Sequence, residues 1–262
     1  MQRHAFVLLF LVSILSACTL PRELGPTITA RPRPTATSAG PWQSIEVGLE
    51  LRTLHPHSDQ LSRLIVLRIN PQYFRFRAVY RAGDPQSLAS WRELEPAASV
   101  IINANFFDQA NRALGAIVSD GVLSGAAYHS RGGTFLVRNG APSVIGYLSG
   151  PLQIDKTVEQ AIQGFPLLVF ENEQAYFGSS NGERNRRTVI AEDVNGNILI
   201  LVAPFFGLSL VELSAYLPTT DLDIVTAINL DGGRSSMIAI PSVEYFQPSF
   251  DVVPTILAVY PR

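Results

Sequence analysis

Cysteine occurs once in this chain, at Cys18. That excludes an intrachain disulfide, and it leaves the body of the protein with neither a zinc–thiolate cluster nor a cysteine nucleophile. There is no basic stripe, and the formal net charge is −2. A nucleic-acid partner, which needs clustered Lys and Arg to meet phosphates, is therefore not expected. Beyond the first residues no apolar run approaches the ~20 residues that cross a bilayer as a helix. No His-x-x-x-His pair is present, so a zinc protease has nothing to stand on. No internal repeat of fixed period is found.

What is present begins with a targeting signal. Arg3 and His4 open the chain, Ala5 to Leu15 is an almost unbroken apolar run, and Leu15-Ser16-Ala17-Cys18 closes it. The run is too short to span a membrane, and its flanks are those of a secretory signal. The closing tetrapeptide resembles the lipobox of bacterial lipoproteins, in which the cysteine is lipidated and becomes the new N-terminus. Residues 1–17 are thus expected to be a lipoprotein signal peptide and Cys18 the lipid anchor. From Thr19 to Gly40 the chain is rich in Pro, Thr, Ala and Arg, a composition that cannot bury enough apolar surface to fold. Residues 18–41 read as a tether and 42–262 as one globular domain held outside the cytoplasm, at the cell surface or in the periplasm.

Strands dominate the pattern of that domain. Leu64 to Ile69 is β-branched and Leu-rich. From Tyr73 to Tyr80, Phe74, Phe76, Ala78 and Tyr80 alternate against Arg75 and Arg77, the period-2 mark of a half-buried strand. Val100 to Asn103, Thr134 to Val137 and Thr255 to Tyr260 read likewise. Thr188 to Val194 and Asn197 to Ala203 flank Asn195-Gly196, a hairpin signal. Asp84 followed by Pro85 predicts a helix that ends before Pro96. Ser209 and Glu212 form a capping-box pattern opening Leu210 to Leu217. Strands and helices mix without βαβ alternation, so the expected class is α+β, mainly antiparallel with a few helices.

Three polar, Gly-rich segments sit where strands end, the usual place for a site. Asn103-Ala104-Asn105-Phe106-Phe107-Asp108 brings two amides and two rings, a pairing that suits a sugar, although such Asn side chains also serve turns. Asn229-Leu230-Asp231-Gly232-Gly233-Arg234-Ser235-Ser236 runs an apolar strand into a carboxylate and two glycines. Its backbone N–H groups suit an anion, above all if a helix begins at Ser235. Asn181-Gly182-Glu183-Arg184-Asn185-Arg186-Arg187-Thr188 carries three arginines that fit either a phosphate clamp or a solvated loop.

Together these segments resemble the phosphodiester glycosidase family, which includes uncovering-enzyme-like proteins and many exopolysaccharide-related bacterial members. Asn229 to Ser236 is similar to the family's Asn-Leu-Asp-Gly-Gly-x-Ser-Ser, and Asn103 to Phe107 to its Asn-Gly-x-Phe-Phe element. Leu114-Gly115, Ser119-Asp120-Gly121, Gln163-Gly164-Phe165-Pro166, Arg187-Thr188, Leu208 to Leu213 and Val253-Pro254-Thr255 follow in the family's order. Ala104 and Ala191 stand where glycines are expected, and Arg234 where a small residue is usual. The resemblance implies hydrolysis of a sugar-1-phosphodiester on a glycan or glycoconjugate. Asp231 is then the first catalytic carboxylate, with Glu192 or Asp108 as the second. Asn103 and Asn105 would orient the sugar, and Arg187 with the N–H groups of Gly232 and Gly233, and Ser235 beside them, would hold the phosphate. No cofactor or metal is expected. The rival reading is a non-catalytic exopolysaccharide-binding surface lipoprotein, and convergence of Asp231, Arg187 and Asn103 distinguishes the two.

The anchor is directly testable. Cys18→Ser should move the protein from the membrane fraction to the soluble exported fraction, with a metabolically supplied fatty acid labelling the wild type alone. Labelling of the variant would refute lipidation at Cys18.

Overall fold

The structure is a computed structural model that describes residues 40–57, 59–178 and 183–262. The signal peptide, Cys18 and almost all of the tether lie outside the described residues, as do Asn181 and Gly182. The chain enters through β1 (Gln43–Glu46), β2 (Leu49–Leu54), β3 (Leu64–Ile69) and β4 (Phe74–Tyr80), then helix α1 (Leu88–Leu94) and β5 (Val100–Asn103). Short strands follow as β6 (Ile117–Ser119), β7 (Val122–Ser124), β8 (Gly133–Arg138), β9 (Ala141–Gly146) and β10 (Val158–Gly164). After β11 (Leu167–Phe170) and β12 (Glu173–Gln174) comes the long hairpin of β13 (Asn185–Asp193) and β14 (Ile198–Leu208). Helix α2 (Leu210–Tyr216) leads to β15 (Ile224–Asn229), and the chain closes with β16 (Ile238–Ile240), β17 (Tyr245–Gln247) and β18 (Thr255–Pro261).

These strands form three sheets, ordered β1-β2-β3-β14-β13-β15-β11-β12, β7-β6-β10-β8-β9 and β17-β16-β5-β18-β4. Each strand pairing is antiparallel. The class is more β-rich than α+β suggests: helix is confined to α1, α2 and a few single turns among the described residues. No helix among them is long and apolar enough to cross a membrane.

One core is shared by all three sheets. Ile198, Ile200 and Val202 of β14 point into it, meeting Phe74 and Phe76 of β4, Ile102 of β5, Phe135 of β8 and Leu257 of β18. The intervening Leu199, Leu201 and Ala203 point the other way, into a second cluster covered by Leu213 and Leu217 of α2 and its following turn. This alternation explains why β14 reads as a continuous apolar run: a strand buried on both faces has no polar side to show. Trp91 of α1 is fully buried over the outer face of the third sheet, and its Nε1 donates to Val253 O at 3.1 Å.

The capping box at α2 forms as the sequence predicts, with Ser209 accepting from Glu212 N and Glu212 accepting from Ser209 N. Helix α1 begins later than expected. Gln86 exchanges backbone hydrogen bonds with Val253, and Asp84 is occupied by Arg81 and Gln86, so Ser87 becomes the cap and accepts from Ser90 N. Pairing to another strand overrides the local Asp-Pro signal.

Candidate active site

Four chain segments meet at the C-terminal end of β15. Successive backbone N–H groups there reach three different places: Asn229 donates to Pro166 O at 3.0 Å, Leu230 to Thr188 O at 2.8 Å and Asp231 to Ala104 O at 3.0 Å. The strand end is thereby fixed by the β10–β11 connection, by β13 and by the segment after β5. Gly164 allows the closest of these crossings, since a Cβ there would lie 2.2 Å from Asn229 O.

Asn103 ties the same region together from inside. Its Nδ2 donates to Asp231 O at 2.6 Å, while its Oδ1 accepts from Thr188 Oγ1 at 2.8 Å and from Met237 N at 3.0 Å. The side chain is almost wholly buried. Its polar atoms are engaged inside the protein, so Asn103 sets the position of Asp231 and is not free to orient a sugar. Asn105 is buried too and donates to Ala116 O at 3.1 Å. The Oδ1 atoms of Asn105 and Asn229 have no hydrogen-bond partner among the described residues.

Asp231 is largely withdrawn from water. Burial raises its pKa from 3.8 to about 6, against the lowering effect of hydrogen bonds from the Ser235 side chain and from Gly232 N at 2.9 Å. The charge of Asp251 pushes the same way as burial. Because Gly232 N–H serves the Asp231 carboxylate, it is not open to a ligand as expected. Nor does a helix begin at Ser235: Gly233–Ser235 is a single 3-10 turn leading to β16, so no helix dipole contributes. Gly233 adopts φ +61°, a left-handed conformation that side chains resist.

The three arginines of the sequence cluster separate because consecutive strand residues face opposite ways. Arg184 leaves the site to pair with Glu212 at 2.5 Å. Arg187 donates through Nε to Leu208 O at 3.2 Å and through Nη2 to Glu183 O at 3.0 Å. Its Nη1 faces Gly232, where an added Cβ would lie 3.8 Å away. Arg187 has no ion-pair partner among the described residues, and its burial lowers its pKa. Arg186 points to the other face, almost fully buried, and donates to Ser236 O at 2.6 Å and Pro248 O at 2.8 Å.

Neither proposed companion carboxylate joins Asp231. Glu192 also lies on β13, but five residues from Arg187, roughly 16 Å along the strand. There it accepts from Val144 N at 2.8 Å, and burial raises its pKa. Asp108 closes its own turn, accepting from the backbone N–H groups of Ala110 and Arg112 and pairing with the Arg112 guanidinium, which hold its pKa down. The carboxylate whose charge reaches Asp231 is Asp251, kept ionised by Arg234 at 2.7 Å. It lies in no recognisable motif, and only the fold brings it there.

An aromatic wall completes the surroundings. Phe165, whose carbonyl accepts from Asn229 Nδ2 at 2.9 Å, stacks on Phe106 at 4.3 Å between ring centroids. Tyr128 meets Phe165 edge-on, and the Arg131 guanidinium lies 4.5 Å and 4.6 Å from those two ring centroids. No group of three or more His, Cys, Asp or Glu side chains among the described residues is arranged to hold a metal. A cavity of about 250 Å³ lined by Arg75, Arg77, Asp120 and Arg262 lies elsewhere, where Arg77 pairs with Asp120 and Arg262 donates to Phe74 O.

The family model for phosphodiester glycosidases matches residues 97–260. The chain belongs to this family. It is a hydrolase of glycosidase type. Similar solved structures include the zebrafish N-acetylglucosamine-1-phosphodiester alpha-N-acetylglucosaminidase catalytic domain auto-inhibited by its pro-peptide, at 17% identity and TM-score 0.61, covering 82% of each chain. A hypothetical protein from Synechocystis is 17% identical with TM-score 0.56, covering 82% of this chain and 62% of that one. A Burkholderia pseudomallei protein described as exported is 14% identical with TM-score 0.58, covering 80% and 74%. At these identities the likeness concerns the fold. No curated protein matches the sequence.

The buried carboxylate of the enzyme has a stability signature. A group whose folded pKa is raised from 3.8 to about 6 binds its proton more tightly when folded, so stability falls as pH rises across that interval. Asp231→Asn removes this penalty. Its stability should equal that of the wild type near pH 3.5 and exceed it by up to about 3 kcal/mol above pH 7. Denaturant titrations across this range check it. A variant less stable than the wild type at pH 8 would contradict a desolvated Asp231.

Proposed function

We propose that this glycosidase cleaves the C1–O bond of a sugar-1-phosphodiester, releasing the free sugar and a phosphomonoester. One observation supports the reading: the Arg187 guanidinium, which has no ion-pair partner among the described residues, approaches Gly232, the residue that follows the desolvated carboxylate Asp231. A phosphodiester is an anion at ordinary pH, and a buried arginine without a carboxylate is a fit partner for it. The sugar would rest against Phe106 and Phe165, whose rings can cover its apolar face.

The chemistry follows from the leaving group. A phosphomonoester has a second pKa of about 6, so it departs without strong help from a general acid. The demand falls on the attacking side, where a carboxylate must accept a proton from water or add to C1 itself. In the first case the water oxygen joins C1, its proton passes to Asp231, and the bridging oxygen leaves with the phosphate. Burial makes Asp231 a stronger base than an ordinary aspartate, poised near pH 6. Asp251, ionised beside Arg234, adds negative potential that favours an oxocarbenium-like transition state.

The activity named for the zebrafish relative supports an N-acetylhexosamine as the sugar to try first. The proposed setting is extracytoplasmic, with the enzyme tethered through Cys18 and acting on an exopolysaccharide or other glycoconjugate. The lipobox supports that setting, as does the description of one structural relative as exported.

The test is kcat/KM for N-acetylglucosamine 1-(methyl phosphate) against pH. It should rise with pH to a plateau, with a midpoint near 6, because the ionised form of Asp231 is the active one. Asp231→Asn should lower the rate by ~10² or more, and Arg187→Ala should chiefly raise KM. A profile that falls through pH 6, or full activity in Asp231→Asn, would overturn these roles.

A further inference from the structure

Strand β4 pairs along one side only, with β18. Its odd-numbered residues direct their backbone groups to that partner. Just beyond its two ends, Arg81 N donates to Pro254 O at 2.9 Å and Arg262 N to Tyr73 O at 2.8 Å. The even-numbered residues therefore turn their N–H and C=O groups to the free edge, since these groups alternate sides along an antiparallel strand. At Ala78 side chains close that edge: Ala78 N donates to Gln160 Oε1 at 3.0 Å, and Ala78 O accepts from Ser119 Oγ at 2.8 Å. At Phe74 the edge is met by Arg262, whose Nε donates to Phe74 O at 3.1 Å. Phe76 lies between them, and no described residue meets its N–H or its C=O.

The cavity of about 250 Å³ opens at this gap, with Phe76 and Val137 as its apolar lining. Its charges are unevenly matched. Arg77 pairs with Asp120 at 2.8 Å and with Glu95 at 3.2 Å. Arg75 has no ion-pair partner among the described residues, and its guanidinium lies 4.6 Å from the Tyr260 ring centroid, a flat support that holds it in place. Arg262 is fixed by the carbonyls of Pro71, Phe74 and Gly140. Glu159 uses Oε1 alone, accepting from Gly140 N at 2.9 Å, and its Oε2 has no donor among the described residues. With Arg77 and Asp120 paired, Arg75 and Arg262 face Glu159 and leave an excess of positive charge. An open sheet edge ordinarily invites another strand. Here the opening is one residue long, whereas an added strand bonds to alternate residues about 7 Å apart, and Phe74 and Ala78 are already engaged.

We propose that this cavity is a binding site for a sugar acid, a hexuronate ring taken up singly or as one unit of an acidic polysaccharide. A planar carboxylate accepts from the Arg75 fork and from Phe76 N–H. Glu159 Oε2 and the Phe76 carbonyl call for donors, which ring hydroxyls supply, and the ring's apolar face covers Phe76 and Val137. The volume is below the ~300–1,000 Å³ of pockets for drug-sized ligands, and suits one monosaccharide. A phosphate dianion would bring a second negative charge towards Asp120 and Glu159 and no donor for either free acceptor. The site is separate from Asp231. The Phe76–Val259 pair is four residues from the Tyr80–Thr255 pair, and Thr255 is bonded to Ala104 beside Asp231, so roughly 13 Å of strand lies between. The proposal therefore stands independently of the reaction assigned to Asp231.

The full-length protein is titrated calorimetrically with glucuronate, glucose, acetate and inorganic phosphate. Glucuronate should bind roughly tenfold or more tightly than each of the other three, because only it offers both the carboxylate and the hydroxyl donors. Arg75→Gln should abolish that preference with the melting temperature unchanged, since the side chain is exposed. Glu159→Gln should lower the ratio of glucuronate to acetate affinity, and Asp231→Asn should leave it unchanged. A tetramer of galacturonate, titrated beside the monomer, identifies the source: a lower Kd for the tetramer points to a polysaccharide, an equal or higher one to a free sugar acid, and either keeps the site. Undetectable glucuronate binding, acetate or phosphate bound as tightly, a preference that survives Arg75→Gln, or one lost in Asp231→Asn would overturn it.

Discussion

A single buried amide joins the three segments on which the active site is built. Asn103 donates to the Asp231 carbonyl and accepts from the Thr188 hydroxyl and the Met237 amide, so β5, β13 and the Gly-Gly loop are held by one side chain. Each such bond contributes about 1 kcal/mol net, but an unmet buried partner costs about 1–3 kcal/mol, so the three bonds stand or fall together. An aspartate could not donate to the carbonyl, and a glutamine would carry its amide one methylene too far. The main-chain bonds from Asn229, Leu230 and Asp231 then have one arrangement available, and it is the one that holds Asp231 at the sheet end.

On that frame the electrostatics are incomplete. Arg186 and Arg187 are both buried, and neither has an ion-pair partner among the described residues. Asp231 lies nearby with its charge disfavoured by burial. Salt bridges elsewhere in the protein lie at or near the surface, such as Arg81–Asp84 and Arg112–Asp108, and such pairs contribute little to stability. Uncompensated buried charge is costly unless something binds to it. In the proposed reaction an anionic substrate would supply the missing partner for Arg187 and bring its reacting carbon to Asp231.

Much of this was legible in the sequence because it depends on local patterns. Alternation in β4, the Asn195-Gly196 hairpin and the Ser209–Glu212 capping box all reappear in the structure, and the Arg187 guanidinium approaches Gly232, the residue after Asp231. The failures concern register and direction. Glu192 shares β13 with Arg187 but lies toward the strand's opposite end, and strand length is invisible in a list of carboxylates. Asn103 reads as a ligand-binding amide until its three internal partners are seen. Asp251 has no local signature, since it acquires meaning only from what the fold sets beside it.

The central claim is that the bond broken is the one at the sugar carbon, and the fate of solvent oxygen tests it most directly. N-acetylglucosamine 1-(methyl phosphate) is hydrolysed to completion in water enriched in oxygen-18, and both products are analysed by mass spectrometry, the sugar reduced at once to its alditol. Cleavage at C1–O predicts one labelled oxygen in the sugar and none in methyl phosphate. Label appearing in the phosphate would mean attack at phosphorus, and would contradict the roles of Asp231 and Arg187.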